Sequence, residues 1–119
     1  MISSKVHGNL DYITALFFLA APSLFPLSQT GTILSYALAI VHFLMTIFTG
    51  FSLGLIKIIP LKFHGYVELI VGLALIVVPW ILADSFSQTD EVFYAVCGAA
   101  ILGFWFISDY QNANQKDRR

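Results

Sequence analysis

The stretch "KFHGYVELIVGLALIVVPW", residues 62 to 80, decides the fold. From Tyr66 to Ala83 the chain is apolar except for Glu68. That is about one bilayer crossing, because ~20 residues rising 1.5 Å each span a ~30 Å hydrocarbon core. Three other uncharged apolar runs share its character: Tyr12 to Leu27, Ile33 to Ile56 and Val92 to Ile107. The shorter runs borrow flanking turns, such as Val6 to Asp11 and Pro60 to His64, to complete a span. The segments between them are short and hold turn residues: "SQTGT" at 28 to 32, "KIIPLKFHG" at 57 to 65 and "DSFSQTDE" at 84 to 91. Short connections predict antiparallel neighbouring helices. Pro60 suits the start of the third helix, whereas Pro22, Pro26 and Pro79 fall late in theirs and bend or end them. The expected fold is an all-α membrane protein of four transmembrane helices, a single integral domain over residues 1–119.

Composition points the same way. Hydrophobic residues make up 58% of the 119 and charged residues 11%, against about 25% charged in ordinary soluble domains. Mean hydropathy is +0.82, so the apolar side chains are expected to face lipid and one another. A net charge of -1 gives no sign of a nucleic-acid or acidic partner. The lone cysteine, Cys97, excludes an internal disulfide and a thiolate metal cluster, and reads as a packing residue.

The distribution of charge sets the orientation. Lys5, Lys57, Lys62, Lys116, Arg118 and Arg119 all lie at the N-terminus, in the central loop or in the C-terminal tail. With four crossings those segments share one face, and the retention of Lys and Arg in the cytoplasm makes both termini cytoplasmic. The opposite loops carry only Asp84, Asp90 and Glu91. Lys5 followed by "ITALFFLAAPS" also has the flavour of a signal peptide over residues 1 to 23, but this segment has a copy further in.

A shift of 57 residues lays His7, Gly8, Asp11, Ile13, Leu16 and Pro22 on His64, Gly65, Glu68, Ile70, Leu73 and Pro79. The second helices match loosely, in "SYALA" at 35 to 39 and "FYAVC" at 93 to 97. Self-similarity at a fixed period predicts duplication of a two-helix hairpin. Repeat 1 covers about 3–56, repeat 2 about 60–107, and 108–119 form a polar cytoplasmic tail. Each unit holds an even number of helices, so the copies run in parallel orientation about a pseudo-twofold axis along the membrane normal.

The residues "HGNLDY" and "AAPSLF", then "FSLGLIKIIPLKFHGYVELIVGLALIVVPW", resemble the SPW-repeat family of small bacterial and archaeal membrane proteins in its two-repeat, four-helix form. The likeness runs from residue 5 to about 107. It implies an integral protein of the bacterial cytoplasmic (inner) membrane and assigns no reaction. The naming tripeptide is altered in both copies, to Ala21-Pro22-Ser23 and Val78-Pro79-Trp80; the proline alone is common to both.

His7 and Asp11, like His64 and Glu68, stand four residues apart, on one helical face. Helices starting near Ser4 and Pro60 put each carboxylate ~10 Å along the axis, near the headgroup boundary, where it reaches water and complements the positive helix end. One reading makes these pairs structural. The other has the four side chains converge about the pseudo-axis to relay protons or hold a metal or haem iron. His42, deeper in the second helix, is expected to make a structural hydrogen bond, with a ligand or relay role as the alternative. No cofactor is predicted; haem or a metal at His7 and His64 is the alternative.

Small residues recur every four positions, at Thr46, Gly50 and Gly54 and at Ala95, Ala99 and Gly103. Such stripes permit close helix packing within the bundle or between copies. Tyr12, Tyr66, Trp80, Trp105 and Tyr110 suit an aromatic belt at the ends of spans. The sequence carries no phosphate loop, nucleophile elbow, H-E-x-x-H motif or paired-cysteine site. The expected function is therefore a non-enzymatic membrane component that packs with itself or a membrane-protein partner in the lipid bilayer. Proton or small-solute transport, or cofactor binding through the duplicated pairs, is the alternative.

Overall fold

The computed structural model describes residues 4–49, 56 and 58–107. Four helices are found among them: α1 (Ser4–Leu24), α2 (Gln29–Ile47), α3 (Leu61–Ile81) and α4 (Gln88–Ile107). Three of these, α2, α3 and α4, are long and apolar enough to cross a membrane. α1 matches α3 in length, at 21 residues, but its first half carries His7, Asn9 and Asp11. The tail 108–119, with Lys116, Arg118 and Arg119, and also Lys57, lie outside the described residues.

The helices pack as two hairpins, α1 on α2 and α3 on α4. α1 starts at Ser4 and α3 at Leu61, an offset of 57, and both contain a proline two residues before the end, Pro22 and Pro79. A helical proline leaves the carbonyl four residues earlier without its N–H partner. In α1 that carbonyl belongs to Phe18, and the buried Ser35 hydroxyl of α2 donates to it at 2.6 Å. The hairpin is thus joined where its backbone ladder is broken, a use of serine expected where water cannot repair the gap.

The second apolar run does not form one continuous helix. α2 stops at Ile47, where the Phe48 N–H turns back to the Leu44 carbonyl at 3.0 Å and the Thr49 N–H to the Thr46 carbonyl at 3.4 Å. The chain then returns alongside itself: Ile56 N–H donates to Ile47 O at 3.0 Å and Ile59 N–H to Phe48 O at 2.7 Å. Pro60, extended at φ -60° and ψ 141°, precedes α3, with the missing N–H that suits the start of a helix.

Polarity is distributed inside out. His7, Asp11, Ser35, His42, Thr46, Thr49, His64, Glu68 and Asp90 are buried, while Ile13, Leu16, Leu24, Ile33, Ile70, Ile81 and Phe106 are exposed. Trp80 is 83% exposed, and Tyr66 is exposed as well, whereas Tyr12 and Trp105 are half-buried. Tyr110 lies outside the described residues. The apolar interior centres on Phe18, Ala21, Leu38, Leu75, Phe93, Tyr94 and Ile101, with Cys97 packed against it.

The packing within the chain treats the two small-residue stripes differently. Thr46 is fully buried and its hydroxyl donates to the His42 carbonyl at 2.7 Å; Gly50 and Gly54 lie outside the described residues. Ala95, Ala99 and Gly103 face outward, and a Cβ on Gly103 would meet nothing within 4 Å. The close approach of α3 and α4 uses Gly72 and Gly98 instead. A Cβ on Gly98 would lie 2.7 Å from the Gly72 carbonyl oxygen, and one on Gly72 would lie 2.8 Å from Leu102 Cδ2.

Candidate functional site

α1 supplies His7 and Asp11, and α3 supplies His64 and Glu68. The structure brings all four together and buries them, at 4%, 6%, 2% and 6% exposure. Each acid lies seven residues past the start of its helix, Ser4 or Leu61, beyond the first turn in which helix-end stabilisation acts. Their charges are therefore balanced by the histidines rather than by the helix ends. This corrects the expectation that each pair is a water-reaching feature of its own helix.

The geometry is an alternating ring. Asp11 Oδ2 lies 3.2 Å from His7 Nε2 and 3.0 Å from His64 Nε2. Glu68 divides its oxygens, Oε2 at 2.9 Å from His7 Nε2 and Oε1 at 3.1 Å from His64 Nε2. Two of these contacts are within a helix and two cross between the hairpins. The imidazoles meet edge to face at 79° with centroids 6.1 Å apart. One donor atom from each of the four residues falls within 4.8 Å of all the others.

Each Nε2 thus faces two carboxylate oxygens. A bare lone pair there would be repelled, so each nitrogen either donates an N–H or coordinates a cation. His64 is held for this role by Thr49. The Thr49 hydroxyl donates to the Met45 carbonyl, which leaves its oxygen to accept from His64 Nδ1–H at 2.6 Å. Such an outer partner fixes the tautomer and the orientation of an imidazole. Breaking a buried pair by removing one partner costs about 3–5 kcal/mol, so the ring also joins the hairpins.

His42 stands beside the ring. Its Nδ1–H donates to the Leu38 carbonyl at 3.2 Å, a local helical bond, and its ring packs on Phe18 at 5.7 Å. A cavity of about 10 Å³ separates it from His64 and Glu68, at the lower limit for one water. A haem ligated by His42 would need a second histidine at its depth, and the remaining two, His7 and His64, are both committed to the ring.

A second polar cluster, at the turns between the helices of each hairpin, escapes the sequence reading. Ser28 is the N-cap of α2, and its hydroxyl oxygen accepts from Gly31 N–H at 3.0 Å. Ser87 does the same before α4, accepting from Asp90 N–H at 3.1 Å, while Asp90 Oδ2 accepts from Ser87 N–H at 2.9 Å. The α4 arrangement is a complete reciprocal capping box. In α2 the residue equivalent to Asp90 is Gly31, which has no side chain to return the bond. Asp90 supplies it from the other hairpin: Oδ1 accepts from Ser28 N–H at 3.0 Å, and Oδ2 accepts from the Ser28 hydroxyl. Tyr94 adds a bond from its hydroxyl to the Gly31 carbonyl. A Cβ on Gly31 would run into the Asp90 carboxylate. The signal was present as the repeated "SQTG" at 28 to 31 and "SQTD" at 87 to 90. Comparison of the chain with family models, curated proteins and solved structures gives no match.

Proposed function

We propose that this chain is a four-crossing membrane protein that binds and handles cations, protons or metal ions, at the His7–Asp11–His64–Glu68 ring. It acts by binding rather than by catalysing a reaction. One observation carries the reading: two histidines and two carboxylates, drawn from both hairpins, are buried in an alternating ring with 2.9–3.2 Å contacts. Ionisable groups inside a membrane bundle face its interior, pair with one another and mark ion pathways. The exposed apolar outer surface supports insertion, and α1 completes the fourth crossing. The common 57-residue offset and proline placement of α1 and α3, with the duplicated SQT caps, support two parallel-orientation repeats. They are also in keeping with SPW-repeat membership. The Lys and Arg distribution supports cytoplasmic termini, which puts the ring on the cytoplasmic side, and the inner-membrane location is what the SPW-repeat resemblance implies.

The test is the Asp11→Asn, Glu68→Gln double variant, reconstituted in vesicles beside the parent protein. The reading predicts that cation uptake or proton flux is lost while helical content is retained. Equal flux from a folded double variant would sink it. A second reading, a component that packs with its own copies or a partner, is favoured by the outward stripe of Ala95, Ala99 and Gly103. Crosslinking in native membranes that finds only monomer would remove that reading.

A further inference from the structure

We infer that the ring is a site for one divalent first-row transition-metal ion of the zinc type, held by Nε2 of His7 and of His64 and by one carboxylate oxygen each from Asp11 and Glu68. This rests on the cation-handling reading and names the cation.

Four features carry it. The first is the donor set. Two imidazoles with two carboxylates make a borderline N₂O₂ site, whereas calcium and magnesium take oxygen ligands throughout. The second is charge. Two carboxylates carry two negative charges, which one divalent ion balances when both imidazoles are neutral, as metal ligation requires. A monovalent ion would leave one buried negative charge uncompensated.

The third is spacing. Tetrahedral ligation with bonds of ~2.0–2.1 Å sets neighbouring donors about 3.3 Å apart. Asp11 Oδ2 lies 3.2 and 3.0 Å from the two nitrogens, each Glu68 oxygen lies 2.9 or 3.1 Å from one of them, and one donor atom from each of the four residues falls within 4.8 Å of all the others. Side-chain shifts of a few tenths of an ångström up to about 1 Å convert the one geometry into the other. The fourth is support. His64 Nδ1–H is engaged by Thr49, which aims Nε2 at the ring in the manner of outer-shell partners in metal sites. The metal replaces the N–H protons as what lies between nitrogen and carboxylate, and the contacts across the hairpins become bonds through the ion.

The experiment uses the full chain purified in detergent without a histidine tag, exposed to Zn²⁺ and dialysed against excess Ca²⁺. Zinc content is measured by elemental analysis, and the ligand shell by X-ray absorption at the zinc edge. The inference predicts one zinc per chain with two imidazoles in its shell. The same measurement on His64→Gln predicts at least a tenfold weaker retention, with the shell reduced to one imidazole in whatever zinc remains. Zinc absent from the parent protein after dialysis overturns the inference, as does zinc bound without imidazole. The absorption result needs no variant, so misfolding of His64→Gln cannot mask the answer. Flux that depends on the ring in a protein that holds no zinc would overturn the metal assignment and leave the proton form of the cation reading standing. Absence of both would remove the two together.

Discussion

His64 Nδ1–H donates to the Thr49 hydroxyl oxygen at 2.6 Å, and Thr49 uses its own proton on the Met45 carbonyl. The hydroxyl oxygen therefore serves His64 as an acceptor, and Nε2 is left to the ring. Thr49→Val keeps the shape but removes the acceptor. It is expected to weaken Zn²⁺ binding ~10–100-fold, the usual cost of losing an outer-shell partner, with Thr49→Ser retaining most of it. Competition against a chromogenic chelator measures both, and equal affinities in the valine and parent proteins would dismiss the role given to Thr49.

Asp90 completes the caps of α2 and α4 together, and Gly31 leaves the room its carboxylate fills. Gly31→Asp alone sets two carboxylates in one space and should destabilise by several kcal/mol, since overpacking alone costs ~1–3 kcal/mol. The exchange Gly31→Asp with Asp90→Gly moves the carboxylate to the matching SQT-turn position of the other hairpin. Thermal unfolding in detergent should show the double variant recovering most of what the single one loses. A double variant no more stable than Gly31→Asp would argue against the pseudo-twofold relation.

Ser35 supplies the hydrogen bond that Pro22 denies to the Phe18 carbonyl. Ser35→Ala leaves that buried carbonyl unsatisfied, at a cost of about 1–3 kcal/mol. Pro22→Ala should lessen the penalty in the double variant, because the restored N–H satisfies the same oxygen. Strict additivity of the two changes in unfolding measurements would rule out the shared carbonyl.

Gly98 and Gly103 lie on the same helix and are predicted to behave oppositely. Gly98→Ala drives a methyl against the backbone of α3 and should cost ~1–3 kcal/mol. Gly103→Ala meets open space and should change folding by less than ~0.5 kcal/mol, as surface substitutions do. Any effect of Gly103→Leu should fall on association between copies, read by crosslinking in membranes. Loss of folding in Gly103→Leu would mean that this face is covered within the chain.

Much of the fold was legible because its determinants are local. The apolar runs, Pro60 and the paired His-x₃-acid spacing marked the starts of α1 and α3 closely. What local reading could not supply was which faces turn inward. Ala95, Ala99 and Gly103 repeat at helical spacing as well as any packing stripe, yet Gly98 makes the contact, because tertiary placement of α4 on α3 decides it. The spacing of His64 and Glu68 offered a pair; their sharing with His7 and Asp11 depends on two helices meeting across 57 residues of chain. Gly31 read as a turn residue, although its lack of a side chain serves an aspartate in the other hairpin. Ile33 to Ile56 read as one span because apolar composition does not mark where a helix stops, here at Ile47.

The central claim is that the two hairpins meet through the ring, so that Asp11 of α1 governs His64 of α3 as closely as it governs His7. Nitrogen NMR of the histidine side chains, recorded for parent and Asp11→Asn proteins in lipid bilayers, tests this directly. The account predicts that the Nε2 signals of His7 and His64 both move in the variant while His42, bonded to Leu38, stays nearly still. Movement of His7 alone, with His64 unchanged, would mean that each pair belongs only to its own helix and would contradict the account.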